Sequence, residues 1–175
     1  MTSTVIIPLA RPKERTAVDF DGLYRSARDD VFAYVATLLR DRGAAEDVAA
    51  LAFERAFRKQ RSFDARKGSE RQWLFGIARH AALDELRRRS RAAIPVAEPS
   101  GSAGGEDPSD RAVARATVAA GMAALGARDR EVIALKFHAG LDNAEIAAVL
   151  GVSPTNAGTL LHRAMTKLRE AIDAQ

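Results

Sequence analysis

Residues 142–168 read DNAEIAAVLGVSPTNAGTLLHRAMTKL, and this stretch decides the fold of the second half of the chain. Asp142 and Glu145 have the spacing of a capping box at the start of a helix. Gly151 follows the apolar residues where a helix can end in a left-handed turn, and Ser153 is suited to cap a second helix. The pattern predicts a helix-turn-helix whose second helix exposes a polar face, and such a face can lie in the major groove of DNA.

The rest of the chain is also patterned for helices. Apolar residues at helical spacing predict four helices outside the helix-turn-helix, at about residues 20–38, 44–61, 113–125 and 129–138. A fifth begins at Ser69, which is expected to form a capping box with Gln72. We therefore predict an all-α fold of two small helical domains, a three-helix bundle followed by a helix-turn-helix domain.

Charge and composition separate these two domains. Residues 1–91 contain 19 basic and 13 acidic side chains, a net charge of +6, and residues 111–175 carry +2. Residues 92–110 contain four acids and no base, and their Gly, Pro and Ser content cannot bury enough apolar surface to offset the entropy lost on ordering. The expected organisation is an N-terminal extension at 1–19 and a first domain at 20–91. A flexible acidic linker at 92–112 then leads to a second domain at 113–175.

Composition excludes several classes of protein. The chain has no Cys, which rules out disulfides, thiolate zinc sites and a cysteine nucleophile and indicates a reducing compartment. Its longest apolar runs are far shorter than the roughly 18 residues that span a bilayer. The first residues, MTSTVIIPLARPK, do not have the charge order of a signal peptide. The sequence therefore predicts a cytoplasmic protein without membrane insertion.

The sequence contains no familiar catalytic constellation. His80, His138 and His162 are isolated from one another, and each is best explained as a surface or partly packed side chain. Glu46 and Asp47 lie together at the start of a helix, where interaction with the helix dipole explains them better than acid–base catalysis. We predict no catalytic residue, no metal site, no cofactor and no small-molecule substrate.

Basic side chains cluster at two helix ends in the first domain. One cluster ends the second helix, and the other, which includes Arg87 and Arg88, ends the third. The helix dipole alone explains a single cluster. Two clusters with further basic residues nearby indicate a footprint for a phosphate backbone. Trp73, beside a basic loop, is either a core residue or a platform on which an unpaired base stacks.

Several ordered motifs resemble those of bacterial sigma factors of the extracytoplasmic-function (ECF) group, which retain only sigma regions 2 and 4. The motifs are AEDV at 45–48, WLFGIAR at 73–79, EIA at 145–147, LGVS at 150–153 and LHRA at 161–164. The resemblance covers about residues 20–91 and 113–172. It implies an alternative sigma factor, a non-catalytic subunit that binds core RNA polymerase and directs promoter-specific initiation.

The resemblance also implies roles for the helices of region 2. The second helix would bind the clamp helices of the largest polymerase subunit, with candidate contacts at Glu46, Asp47, Ala50, Leu51 and Glu54. The following loop and third helix would recognise and help melt the promoter −10 element. Candidate DNA contacts there are Phe63, Arg66, Lys67, Arg71, Trp73, Arg79, His80, Arg87 and Arg88.

In region 4 the resemblance assigns the second helix of the helix-turn-helix to the major groove of the promoter −35 element. Its candidate DNA contacts are Thr155, Asn156, Thr159, His162, Arg163 and Lys167. An anti-sigma factor is expected as a further partner, and an active protein would be associated with the nucleoid.

Some residues depart from the pattern of the family. Ala50 and Leu51 stand where Gln-Glu is usual, and Gly158 occupies a position of the recognition helix that is often basic. These departures motivate an alternative hypothesis, a sigma-like decoy or adaptor that binds an anti-sigma protein without initiating transcription. A nucleic-acid enzyme is a third class of function, and no catalytic constellation supports it.

Overall fold

Every regular element in residues 18–92 and 110–174, which the computed structural model describes, is a helix. The first half contains α1 (Phe20–Leu39), α2 (Arg42–Lys59), a short 3-10 helix (Gln60–Ser62) and α3 (Glu70–Arg91). The second half contains α4 (Asp110–Ala124), α5 (Ala127–Phe137), α6 (Asn143–Leu150) and α7 (Pro154–Asp173). The predicted all-α fold is confirmed. Most of the predicted N-terminal extension and linker, residues 1–17 and 93–109, lies outside the described residues.

Five of the described helices, α1, α2, α3, α6 and α7, begin at a residue whose side chain caps them. At α6 the backbone N–H of Glu145 donates to Asp142 at 2.8 Å and that of Asp142 donates to Glu145 at 3.0 Å, so the predicted capping box is confirmed. At α3 only half of the predicted box forms. Ser69 Oγ accepts the N–H of Gln72 at 3.1 Å, but the side chain of Gln72 folds back over Gly68 and gives no return bond to Ser69.

The three helices of the first half enclose one apolar core. The rings of Tyr34 and Phe75 meet edge to face with centroids 5.5 Å apart, and both side chains are fully buried. α2 contributes a stripe of small buried side chains at Ala45, Ala49, Ala52 and Ala56. Because these side chains are short, the backbone of α2 can approach both neighbouring helices closely.

Close packing in the second half depends on two glycines. Gly151 ends α6 with φ +70°, the left-handed conformation predicted for the turn, and its N–H donates to the carbonyl of Ala147. Gly121 lies where α4 crosses α7, and a Cβ added there would approach Cγ1 of Ile172 to 2.9 Å. A side chain at either position would strain the turn or separate the helices.

The two halves of the chain also pack against each other. α1 lies against α5, and α3 lies against α6. One side of α3 therefore belongs to the core of the first half, and another side faces the second half. This arrangement positions the basic residues of α3 discussed below.

The C-terminal end of α3 is attached to the start of α2 by Arg89, which is only 9% exposed. Its guanidinium donates to Glu85 at 2.7 Å and to Asp41, the N-cap of α2, at 3.0 Å. Hydrogen bonds from Arg88 and Arg89 lower the pKa of Glu85 from 4.5 to about 2. One member of the basic cluster at this helix end is thus a structural residue.

Replacing Arg89 by Gln should lower the free energy of unfolding by about 3 kcal/mol, because Asp41 and Glu85 would keep their charges without this partner. Urea denaturation followed by circular dichroism measures the change. Arg88→Gln is the matched control. Arg88 also bonds to Glu85, but its side chain is 60% exposed, so its loss should cost under about 1 kcal/mol.

The effect of Arg89→Gln should shrink in acid. Because the folded-state pKa of Glu85 is lowered to about 2, its stabilising ion pairs are fully present above about pH 4.5 and are lost as the pH falls toward 2. The unfolding free energies of the parent and the variant should therefore converge over this interval. A difference that stays constant with pH would show that Arg89 acts by packing rather than by charge.

Candidate nucleic-acid and polymerase interface

α7 presents a polar face to solvent. All six of its predicted DNA contacts are exposed: Thr155, Asn156, Thr159, His162, Arg163 and Lys167. Ala157, Ala164 and Leu168 are buried on its other side. The sixth predicted contact, Lys167, donates to Asp129 of α5 at 2.6 Å. The polar face from Thr155 to Lys167 is therefore open to a ligand, and Lys167 already has an acidic partner.

The glycine in this helix lies close to the start of α6. A Cβ added to Gly158 would lie 3.3 Å from Nδ2 of Asn143, the first residue of α6. A larger residue at this position would press on the side chain that starts α6. The departure from the usual basic residue is thus linked to the close approach of the two helices.

The loop before α3 contains one buried aromatic residue and two exposed bases. Phe63 is 7% exposed, and its ring packs on Trp73 with centroids 5.5 Å apart. Arg66 and Lys67 are exposed. Hydrogen bonds from Arg66, at 2.7 and 2.9 Å, hold the pKa of Asp64 well below its usual range. Trp73 is half-buried, so part of its surface remains accessible beside this loop.

Two other predicted DNA contacts of α3 are turned toward the second half of the chain. Arg79 donates to Glu131 of α5 at 2.7 Å, and these side chains are only 16% and 8% exposed. Arg71 donates to Asp30 at 2.5 Å and to the carbonyl of His138 at 3.0 Å. Both arginines therefore have protein partners in this arrangement.

A cleft lies where α3 meets α6. It has a volume of about 250 Å³ and is lined by Gln72, Trp73, Gly76, Ile77, His80, Ala148 and Val149. His80 is exposed, and its Nδ1 lies 2.7 Å from the carbonyl oxygen of Gly76. The cleft brings the predicted −10 contacts Trp73 and His80 against the helix-turn-helix.

The exposed arginines at the end of α3 are partly compensated by acids. Arg87 contacts Asp84 at 3.2 Å, and Arg88 contacts Glu85 at 2.7 Å. Arg55 of α2 reaches the same Asp84 at 3.3 Å. Arg87 and Arg88 remain well exposed, so a stronger anion can compete for them in solvent.

α2 exposes a stripe with charged and apolar members. Glu46, Asp47, Ala50 and Glu54 are exposed, whereas Leu51 is half-buried and packs against the core. Phe57 continues the stripe by helical spacing and is 56% exposed, with its ring 5.2 Å from that of Phe20. An exposed aromatic ring on a helical stripe is typical of a protein-binding surface.

Neither a metal cluster nor a membrane-spanning helix occurs in residues 18–92 and 110–174. These residues contain no group of three or more His, Cys, Asp or Glu that could hold a metal ion. None of the helices described in this part of the chain is long and apolar enough to cross a membrane.

Comparison with known proteins identifies the two halves. The family model for Sigma-70 region 2 matches residues 23–92, and that for Sigma-70 region 4 matches residues 116–168. The ECF RNA polymerase sigma factor SigL of Mycobacterium tuberculosis is 30% identical over 150 residues, which cover 84% of this chain and 85% of SigL. The chain belongs to the ECF sigma factor family. As a member of this family it is an alternative sigma factor that directs promoter-specific transcription.

Other proteins are similar over the same extent of the chain. SigM of Bacillus subtilis is 25% identical over 152 residues, covering 85% of this chain and 92% of SigM. The structure of CnrH with the cytosolic domain of CnrY matches with a TM-score of 0.64 and 25% identity over 89% of this chain and 88% of that one. Sigma factor RpoE, solved with the anti-sigma factor NepR from Bartonella quintana, has the same fold, with a TM-score of 0.69 at 24% identity, covering 89% of this chain and 97% of RpoE.

The geometry sorts the candidate contacts of this ECF sigma factor into three groups. Those on α2 apart from Leu51, at the end of α3 and on α7 are open to solvent, whereas Arg71 and Arg79 contact the opposite half of the chain. Phe63 belongs to the core. Sequence reasoning missed Phe57 as a candidate contact, although it follows Ala50 by seven residues and Glu54 by three, which places it on the exposed stripe.

Phe63→Ala should destabilise the folded protein by about 3 kcal/mol, because the buried ring supports Trp73 and its removal leaves a cavity. Thermal and urea denaturation measure the loss. Phe137→Ala removes the same ring from a side chain that is 63% exposed, and it should leave stability nearly unchanged. Equal stabilities for the two variants would contradict a core role for Phe63.

Proposed function

We propose that this sigma factor divides promoter recognition between residues 20–91, acting as region 2, and residues 113–175, acting as region 4, with 92–112 as the linker after an extension at 1–19. The observation that carries this proposal is the pair of exposed faces on α2 and α7, which the packing of each half leaves free. Each face has the composition suited to a different partner.

The stripe on α2 is the proposed docking surface for the clamp helices of core RNA polymerase. It combines carboxylates at Glu46, Asp47 and Glu54 with the small side chain of Ala50 and the exposed ring of Phe57. Charges at the edge steer association, whereas an aromatic ring contributes most when a partner covers it. Leu51 supports this surface from below, since it packs against the core.

The proposed −10 surface consists of the basic loop and the exposed side of α3. Arg66, Lys67, Arg87 and Arg88 are exposed and suited to phosphates. Trp73 and His80 border the cleft, where the flat ring of Trp73 could stack on an unpaired base. Stacking and backbone contacts together would favour a melted strand over duplex.

The proposed −35 surface is the N-terminal half of α7. Thr155, Asn156 and Thr159 are short polar side chains able to reach base edges, and His162 lies one turn further along. Arg163 is placed to contact a phosphate. Lys167 would be shared between a phosphate and Asp129, the acid it contacts.

Partners and location follow from this function. Two similar solved structures were determined in complexes, one with the anti-sigma factor NepR and one with the cytosolic domain of CnrY. We infer that an anti-sigma factor also binds this chain. The chain would work without catalytic residues or a cofactor. It would be located in the cytoplasm and, when active, at the nucleoid. Packing against the core explains Leu51, so the decoy alternative rests on the exposed Ala50 and on Gly158.

Purified protein mixed with core polymerase should bind it and produce transcripts from a cognate promoter. Ala50→Arg places a long cation in the middle of the stripe on α2, and core affinity should fall at least about tenfold because the partner helices cannot close over it. Ala119→Arg, at an exposed position of α4, is the matched control. Wild-type protein that binds an anti-sigma factor but not core polymerase would support the decoy hypothesis instead.

Replacing both Arg87 and Arg88 by Gln should weaken promoter binding by the holoenzyme and lower the slope of log affinity against log salt by about 1 to 2. The upper value applies if both side chains leave their acids for phosphates. Arg25→Gln with Arg28→Gln removes the same charge from exposed positions of α1 and is the control. If the salt slope is unchanged in the Arg87→Gln, Arg88→Gln variant, this cluster only stabilises the end of α3 and does not bind phosphates.

A further inference from the structure

The polar face of α7 has a gap at Gly158, and a side chain of α6 lies beside that gap. A Cβ added to Gly158 would approach Nδ2 of Asn143 to 3.3 Å, so the amide of Asn143 borders the space that a side chain at position 158 would enter. Asn143 is the first residue of α6 and is exposed. The two helices therefore form one polar surface, to which α6 contributes this amide.

The residues around this amide belong to the proposed −35 surface. Thr155 and His162 each lie about one helical turn from Gly158, so they are on its side of α7. Both are exposed, and both are candidate DNA contacts. An amide beside Gly158 is thus placed next to side chains that are expected to enter the major groove.

The amide of Asn143 is also available to a ligand. Within residues 18–92 and 110–174 its side chain forms no hydrogen bond. The start of α6 is capped by Asp142 and Glu145 instead. The side chain of Asn143 can therefore be changed without loss of the cap, which makes its function separable from the stability of the helix.

We propose that Asn143 is a sequence-reading residue of the −35 surface, and that its amide contacts a base edge in the place left by the missing side chain at position 158. The proposal rests on the −35 role proposed for α7 above. An asparagine amide presents a donor and an acceptor side by side, and this pair matches N7 and N6 of adenine in the major groove. The ligand is therefore an A·T base pair of promoter DNA.

Local charge favours a base over a phosphate as the partner of this amide. Asp142 directly precedes Asn143, and Glu145 follows it by two residues. Their carboxylates already interact with the positive end of α6 and would repel a phosphate, whereas a base edge carries no net charge. The basic residue that is usual at position 158 would attract phosphates, and its replacement by Gly158 leaves room for a contact that discriminates between sequences.

The test compares the sequence preferences of holoenzymes made from core polymerase and the full-length protein. Each holoenzyme binds a duplex library in which the −35 element of a cognate promoter is randomised, and the bound DNA is sequenced. Asn143→Ala removes the amide. Asn143→Ala combined with Ala144→Asn is the matched control, because it keeps the composition and moves the amide about 100° around α6 to another exposed position.

The parent should prefer an A·T pair at one position of the element by at least about fivefold, and Asn143→Ala should lose that preference. The double variant should not regain it. An equal loss of affinity for all sequences would identify a phosphate contact, and unchanged preferences would place Asn143 outside the interface. Either of these two results would overturn the proposal.

Asn143→Asp provides a second test, in which misfolding cannot imitate the expected result. A carboxylate accepts from N4 of cytosine but has no donor for N7 of adenine, so the preferred base at this position should shift from A to C by at least about fivefold. Gly158→Lys should weaken the preference for A, because its Cβ presses on Asn143 and its ammonium group adds affinity for phosphates. A preference for A that persists in both variants contradicts the role of Asn143.

Failure of this inference can be distinguished from failure of the −35 assignment. If the parent selects a −35 sequence and Asn143→Ala selects the same one, only the role of Asn143 is wrong. If the parent selects no −35 sequence, α7 does not read the promoter and both proposals fail.

Discussion

The structure depends on a constraint placed on α3, which must satisfy two sets of neighbours at once. Leu74, Phe75 and Ala78 are fully buried in the core of region 2. One turn away, Arg71 and Arg79 extend to region 4. The apolar side cannot leave the core without unfolding the domain, whereas the charged side can exchange one polar partner for another. The helix is therefore held in region 2 by apolar packing and joined to region 4 by polar contacts.

The arginines of region 2 perform different tasks although they belong to one basic domain. Arg89 is buried between Glu85 and Asp41 and holds two helix ends together. Arg79 pairs with an acid of the other domain. Arg87 and Arg88 stay in solvent, with acids of their own helix beside them. A net charge of +6 in residues 1–91 thus overstates the charge available to DNA, because part of it is used inside the protein.

Much of the architecture was predictable from local sequence. The periodicity of apolar residues located the helices to within a few residues, and Asp142, Glu145 and Gly151 defined the start and end of α6. The site was less predictable. Exposure of Thr155 and its neighbours on α7 follows from helical periodicity, but the burial of Phe63 does not, since its loop contains no repeating pattern. The missing half of the capping box at Ser69 likewise depends on where the side chain of Gln72 folds.

Helix positions, caps and the polar face of α7 follow from the sequence, because they depend on residues three or four apart within one helix. The partners of Arg71, Arg79 and Lys167 do not. Arg79 and Glu131 are 52 residues apart, and they meet only because α3 and α5 are brought together by the packing of whole helices. The same local sequence pattern is compatible with a basic residue that faces water, a neighbouring domain or DNA. Which one it faces is set by the geometry of distant elements, and that geometry made the α3 arginines part of an interdomain contact.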